Sequence, residues 1–162
     1  MKHTLSVLVD NKPGVLTRVS SLFARRGFNI ESLSVGPTED EALSRMTIVV
    51  DGESAPLEQV RKQVHKLVNV IRINDLDPAE MIDRELAMFK VSAPAAVRGE
   101  VSALADIFRG NIVDVGTDTM TIEITGTADK IDGLLTLLKP YGIKELARTG
   151  KVALSRGTKK EE

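Results

Sequence analysis

At 162 residues the chain holds one average domain or two small ones, which leaves no room for a large cofactor-binding enzyme core. Its 42% hydrophobic and 28% charged content is that of a soluble globular protein, and the absence of cysteine excludes disulfides, thiolate metal sites, iron–sulfur clusters and a cysteine nucleophile. With 22 Lys and Arg against 23 Asp and Glu the net charge is −1, so no charge excess favours nucleic acid, and two His, four Phe, one Tyr and no Trp leave little for base catalysis, metal ligation or base stacking.

The opening residues hold only a short apolar run before Asp10 and Pro13, too short for a secretory or membrane-spanning segment, so a soluble cytoplasmic protein is expected. Alternation of His3, Leu5, Val7 and Val9 predicts a first strand. The Asp10–Gly14 stretch breaks it, and Val15, Val19, Leu22 and Phe23 recur at helical spacing until Gly27 ends the helix. Phe28–Val35 reads as a second strand with a bulge near Glu31-Ser32, Gly36–Glu41 as a turn, and Met46, Ile48 and Val50 as a third strand completing a hairpin. Ser54 and Pro56 announce a second helix with the buried stripe Leu57, Val60, Val64 and Leu67, and Val70–Leu76 is a fourth strand.

The order βαββαβ is complete by residue 76, and it recurs. Leu86–Val91, Val97–Phe108, Ile112–Val115, Met120–Ile124, Ile131–Leu138 and an extended segment around Leu146–Leu154 follow the same plan. Val19-Ser20-Ser21-Leu22 and Asn29-Ile30 are echoed by Val101-Ser102-Ala103-Leu104 and Asn111-Ile112, each 82 residues on (19 to 101, 29 to 111). The expected fold is therefore α+β, two tandem ferredoxin-like domains: residues 1–76, a linker 77–83, a second domain 84–156 and a flexible tail 157–162.

The Asp10–Leu16 loop is the best candidate for chemistry. A helix start presents unpaired N–H groups and a partial positive charge, Gly14 lets a ligand approach the backbone, and Asn11 offers both donor and acceptor to a zwitterion. Asn29, at the start of the second strand, is a second amide that can reach this rim from the same chain or from a symmetry mate. The same residues also fit a plain helix start, with Asn11 as cap and Pro13 in the first turn. Leu33 and Val35 read as core, and Ile30 as the better apolar wall for a ligand. A free sheet edge predicts pairing with a second copy.

Other signals are weaker. His3 reads as a partly buried core ring and His65 as a solvated helix position; neither has a second ligand at metal spacing, and Glu39-Asp40-Glu41 lacks calcium-loop spacing. Arg25-Arg26 and Lys159-Lys160 are too isolated for a nucleic-acid stripe. Ser44–Val50 lacks the aromatics of an RNA-binding module, and no Arg lies within Asn11–Leu16 to hold a transferring phosphate. Arg98, Arg109 and Asp114 are candidate partner contacts.

Asp10-Asn11-Lys12-Pro13-Gly14-Val15-Leu16 after a strand resembles the ACT-domain signature. The runs Arg25–Gly36 and Ser44–Val50 resemble the regulatory small subunit family of acetohydroxyacid synthase (acetolactate synthase), with Glu85–Val91 and Gly110–Val115 similar to its C-terminal domain. This resemblance implies a non-catalytic homodimer that activates a large catalytic subunit and confers feedback inhibition by valine or a related amino acid. It also implies a C-terminal domain that contacts that subunit. The implied effector site is Asn11, Gly14, Val15 and Leu16 of one chain with Asn29 and Ile30 of another. No cofactor is expected on this chain; thiamine diphosphate, magnesium and FAD belong to the catalytic subunit. Neither nucleic acid nor membrane is an expected partner. The alternative readings are an ACT-type amino-acid sensor of another metabolic enzyme and an RNA-binding ferredoxin-like module.

Overall fold

A computed structural model describes residues 1–157, the side chains of residues 54 and 55 excepted. The chain divides into two units: Met1–Ile82 with the segment from Gly150 on, and Asp83–Thr149. In the first unit the elements are β1 (Lys2–Asp10), α1 (Val15–Arg25), β2 (Asn29–Pro37), β3 (Leu43–Asp51), α2 (Ser54–His65) and β4 (Val70–Leu76). Their antiparallel sheet has the order β2-β3-β1-β4, as the ferredoxin-like reading requires. The two central strands carry the densest apolar alternation. Leu5, Val7 and Val9 of β1 and Met46, Ile48 and Val50 of β3 face Val15, Val19 and Phe23 of α1 and Leu57, Val60 and Val64 of α2 in one core. The expected bulge is present, with the β2–β3 register shifting between Ile30 and Ser32.

In the second unit β5 (Met81–Ser92), α3 (Arg98–Ile107), β6 (Asn111–Val115), β7 (Thr119–Gly126), α4 (Ala128–Leu138) and β8 (Ile143–Arg148) repeat the plan, with strand order β6-β7-β5-β8. The repetition reaches fine detail. The β6–β7 register shifts between Ile112 and Asp114, 82 residues after the shift in β2 (30 to 112, 32 to 114). Its core is built from Phe89, Val91, Val101, Ala105, Ile122, Ile124, Ile131, Leu134 and Leu138.

Within the connecting stretch 77–83, Asp77 accepts a hydrogen bond from Ala79 N–H at 2.9 Å and caps a single 3-10 turn, Pro78–Glu80, after which β5 begins at Met81. The extended segment around Leu146–Leu154 is two strands, because Gly150 interrupts it. β8 and β9 (Val152–Ser155) both pair with β5, while the segment from Gly150 on groups with the first unit. Gly150 is required by close approach: a Cβ there would lie 2.8 Å from Leu33 N and 3.0 Å from Leu33 C. Lys151 N–H reaches Ser32 Oγ at 3.5 Å and Arg156 N–H donates to Glu80 O at 2.7 Å. β1 already has a strand on each side, so β9, which also lies against it, rests over the sheet face that the helices leave open. Beyond Gly157 the expected tail lies outside the described residues. Among the described residues no helix is long and apolar enough to cross a membrane.

Candidate effector site

The loop between β1 and α1 is built by main-chain bonds to its neighbours. Asp10 N–H donates to Asn69 O at 2.8 Å, Asn11 N–H to Ala42 O at 2.8 Å, and Lys12 N–H to Asp10 O at 3.0 Å. Asn11 does not cap the helix. Its Nδ2 donates to Glu41 O at 2.9 Å, clamping the loop to the β2–β3 turn. That turn is held by Asp40, whose Oδ1 accepts from Ala42 N–H at 3.0 Å.

The helix N-cap is Gly14, with φ 84° and no side chain to bond back into the first turn. A side chain at this left-handed φ is strained, which is why glycine stands here. Val15 N–H makes a long 3.5 Å contact with Lys12 O. The N–H groups of Leu16 and Thr17 come too early in the helix for an intrahelical acceptor, and no capping side chain serves them. These two N–H groups lie at the positive end of α1, a geometry suited to an anion.

The six anticipated residues are not gathered in one place. Asn11, Gly14 and Leu16 share the loop, and Leu16 is 40% exposed beside it. Val15 is 3% exposed and packs in the core, so only its backbone faces the loop. Asn29 and Ile30 stand at the far end of the sheet: Asn29 pairs with Asp51 and Asp51 with Lys2, whereas the loop follows Asp10, which pairs with Leu43. Eight residues of strand separate the two ends, about 26 Å at a rise of about 3.3 Å per residue. Approach of Asn29 to its own loop is thereby excluded. Ile30 is partly buried against the core, as is Leu33, but Val35 is 45% exposed because β2 is the outermost strand.

Sequence reading missed a polar network beside the loop. With its amide turned to satisfy both neighbours, Asn69 donates to Asp10 Oδ2 at 3.1 Å and accepts from Arg18 Nη1 at 2.6 Å, which sets a guanidinium in the first turn of α1. Residues so far apart in the chain carry no local signal of this pairing.

His3 is nearly buried, with Nδ1 3.1 Å from Asp75 Oδ2 and Nε2 without a partner among the described residues; His65 is exposed. No cluster of three or more His, Asp or Glu suited to a metal occurs among the described residues. Arg98 is occupied within its own unit, donating from Nε to Ala93 O at 3.0 Å and from Nη2 to Gly116 O at 2.6 Å, with Thr117 O also close. The open face of β1 and β3 presents Thr4, Ser6, Leu8, Arg45, Thr47 and Val49, none of them aromatic.

Comparison with known proteins agrees with both halves of the chain. Residues 5–72 match the model of the AHAS small subunit-like ACT domain, and residues 84–157 that of the small subunit of acetolactate synthase. The chain is 56% identical over 155 residues to the acetolactate synthase small subunit of Mycolicibacterium smegmatis, covering 96% of this chain and 91% of that one. It is also 56% identical over 160 residues to the probable acetolactate synthase small subunit of Archaeoglobus fulgidus, covering 99% and 100%. The crystal structure of the acetolactate synthase small subunit from Thermotoga maritima superposes with a TM-score of 0.90 at 44% identity, covering 96% of this chain and 98% of that one. With two ferredoxin-like units, an ACT-type loop and relatives that match from end to end, the chain belongs to the acetolactate synthase small subunit family.

Proposed function

We propose that the chain is a non-catalytic regulatory subunit that raises the activity of a thiamine-diphosphate-dependent large subunit and makes it sensitive to valine or a related amino acid. The observation that carries this reading is the uncapped start of α1 beside exposed Leu16, with the loop clamped by Asn11. The α-carboxylate of the effector accepts from Leu16 and Thr17 N–H, and an aliphatic side chain rests on Leu16.

The rest of the site comes from a second copy. β2 is an edge strand, so a two-fold axis can pair it antiparallel with its copy. That arrangement brings the partner's Asn29 and Ile30 alongside the Pro37 end of β2, next to the turn that Asn11 grips. Asn29 Oδ1 then faces the ammonium and Ile30 the side chain. The homodimer is thus part of the proposal, since each site needs two chains.

Regulation requires that valine bind one arrangement of the dimer better than another, because equal affinity shifts nothing. In this reading the second unit grips the large subunit, and thiamine diphosphate, magnesium and FAD reside there, in the cytoplasm. The test is to mix the purified chain with its large subunit and follow acetolactate formation. Activation on mixing and a fall on adding valine are expected. Activity indifferent to the chain would overturn the activating role, and activation untouched by valine, leucine or isoleucine would overturn the sensing role.

A further inference from the structure

On the helix-free face of the first sheet, β9 and the β2–β3 hairpin border a cavity of about 480 Å³. Its lining is contributed by Ser34–Glu39, Arg45, Thr47 and Val152–Leu154, all within the first unit. The volume falls in the range of small-molecule sites, roughly 300–1,000 Å³. Arg45 is half-buried in it, and its guanidinium spends one of five N–H donors on Ser6 Oγ, at 2.8 Å. That is its one hydrogen bond among the described residues. Val152 and Leu154 of β9, in the same lining, leave large apolar surfaces exposed.

We propose that this cavity is a second ligand site, for a small organic monocarboxylate with an apolar body. The carboxylate takes the free edge of Arg45, a planar fork matched to two oxygens, and the hydrocarbon covers Val152 and Leu154. Charge chooses a monoanion over phosphate: the lining has a single cation, and Glu39 stands at the rim. Because β9 supplies one wall, ligand binding holds the chain that follows Gly150 against the first sheet. Its lining shares the β2–β3 turn with the clamp from Asn11 to Glu41 O, so the Arg45 variant is what separates this site from the effector site proposed at the α1 loop.

The experiment uses the full chain, isotopically labelled, and records amide shifts on titration with isovalerate, with its neutral isostere isovaleramide and with inorganic phosphate. Isovalerate is expected to move the amides of Ser34–Glu39 and Val152–Leu154 at millimolar concentration, with isovaleramide and phosphate far weaker. Arg45→Gln should weaken binding about tenfold or more, the loss of a charge-assisted pair. Leu154→Asp, at an exposed position that tolerates a polar group, should weaken it through repulsion even if Arg45→Gln misfolds. The proposal is overturned if isovalerate leaves these amides unmoved, if isovaleramide moves them equally, if shifts are confined to Asp10–Leu16, or if both folded variants bind as the parent does.

Discussion

Arg109 holds φ at 57°, the left-handed conformation, while its counterpart 82 residues earlier, Gly27, holds 77° (27 to 109). Both close a helix in the same way. Phe28 N–H returns to Phe23 O at 3.0 Å after α1, and Gly110 N–H to Ala105 O at 2.8 Å after α3. The first half satisfies this turn with glycine; the second strains an arginine. Arg109→Gly is therefore expected to stabilise the protein by about 0.5–1 kcal/mol, read as a rise in thermal midpoint. Asn11 acts at the same scale. Asn11→Ala removes its bond to Glu41 O, which is solvent-exposed, so about 0.5–1.5 kcal/mol of stability is at stake. Its larger expected effect is on valine affinity in the proposed site, because the loop loses its tie to the turn; calorimetry on the purified protein measures this.

Between elements, one ion network joins three parts of the second unit. Arg148 on β8 donates from Nε to Glu85 Oε1 on β5 at 3.1 Å and from Nη1 to Asp132 Oδ1 on α4 at 2.6 Å. Burial pulls the Arg148 pKa down, but hydrogen bonds to Glu85 and Asp132 and their charges more than reverse it, so it is raised overall. Arg148→Ala leaves Glu85, 8% exposed, as an unpaired buried carboxylate. A loss of about 2–4 kcal/mol is expected in chemical denaturation, largely recovered by adding Glu85→Gln. A milder pair lies on α2, where Arg61 Nε and Nη2 grip Glu58 at 2.9 and 2.6 Å and their hydrogen bond lowers the Glu58 pKa. A depressed carboxylate contributes stability above its unfolded pKa and loses it as pH falls through the folded one. Melts from about pH 5 to about pH 3 should therefore fall less steeply in Arg61→Ala. Both groups are more than a third exposed, so solvent screening limits the difference to about 0.5 kcal/mol.

For the whole molecule, the proposed dimer makes β2 a shared element, and Val35 is the apolar side chain exposed on it. With the partner's Asn29 alongside Pro37, Val35 lies opposite the partner's Glu31, so Val35→Asp sets like charges together and should shift sedimentation toward the monomer, with valine sensitivity lost in the same samples. Much of each unit was legible before any coordinates. Leu5, Val7 and Val9 alternate, and Val15, Val19 and Phe23 return each turn, because a strand and a helix bury one face at fixed periods. The bulge after Ile30 and the Gly27 stop were legible for the same reason: each is a local backbone event with a local residue signature. The site was legible only in part. The sequence determined the Asp10–Leu16 loop and its glycine, since helix starts are specified by neighbours in the chain. The tertiary structure alone decided that Asn11 grips Glu41 rather than capping α1, that Asn29 stands at the opposite end of the sheet, and that the residues after Gly150 return to the first unit. Those outcomes depend on strand register and on contacts between residues from 30 to 119 positions apart, for which periodicity along the chain holds no information.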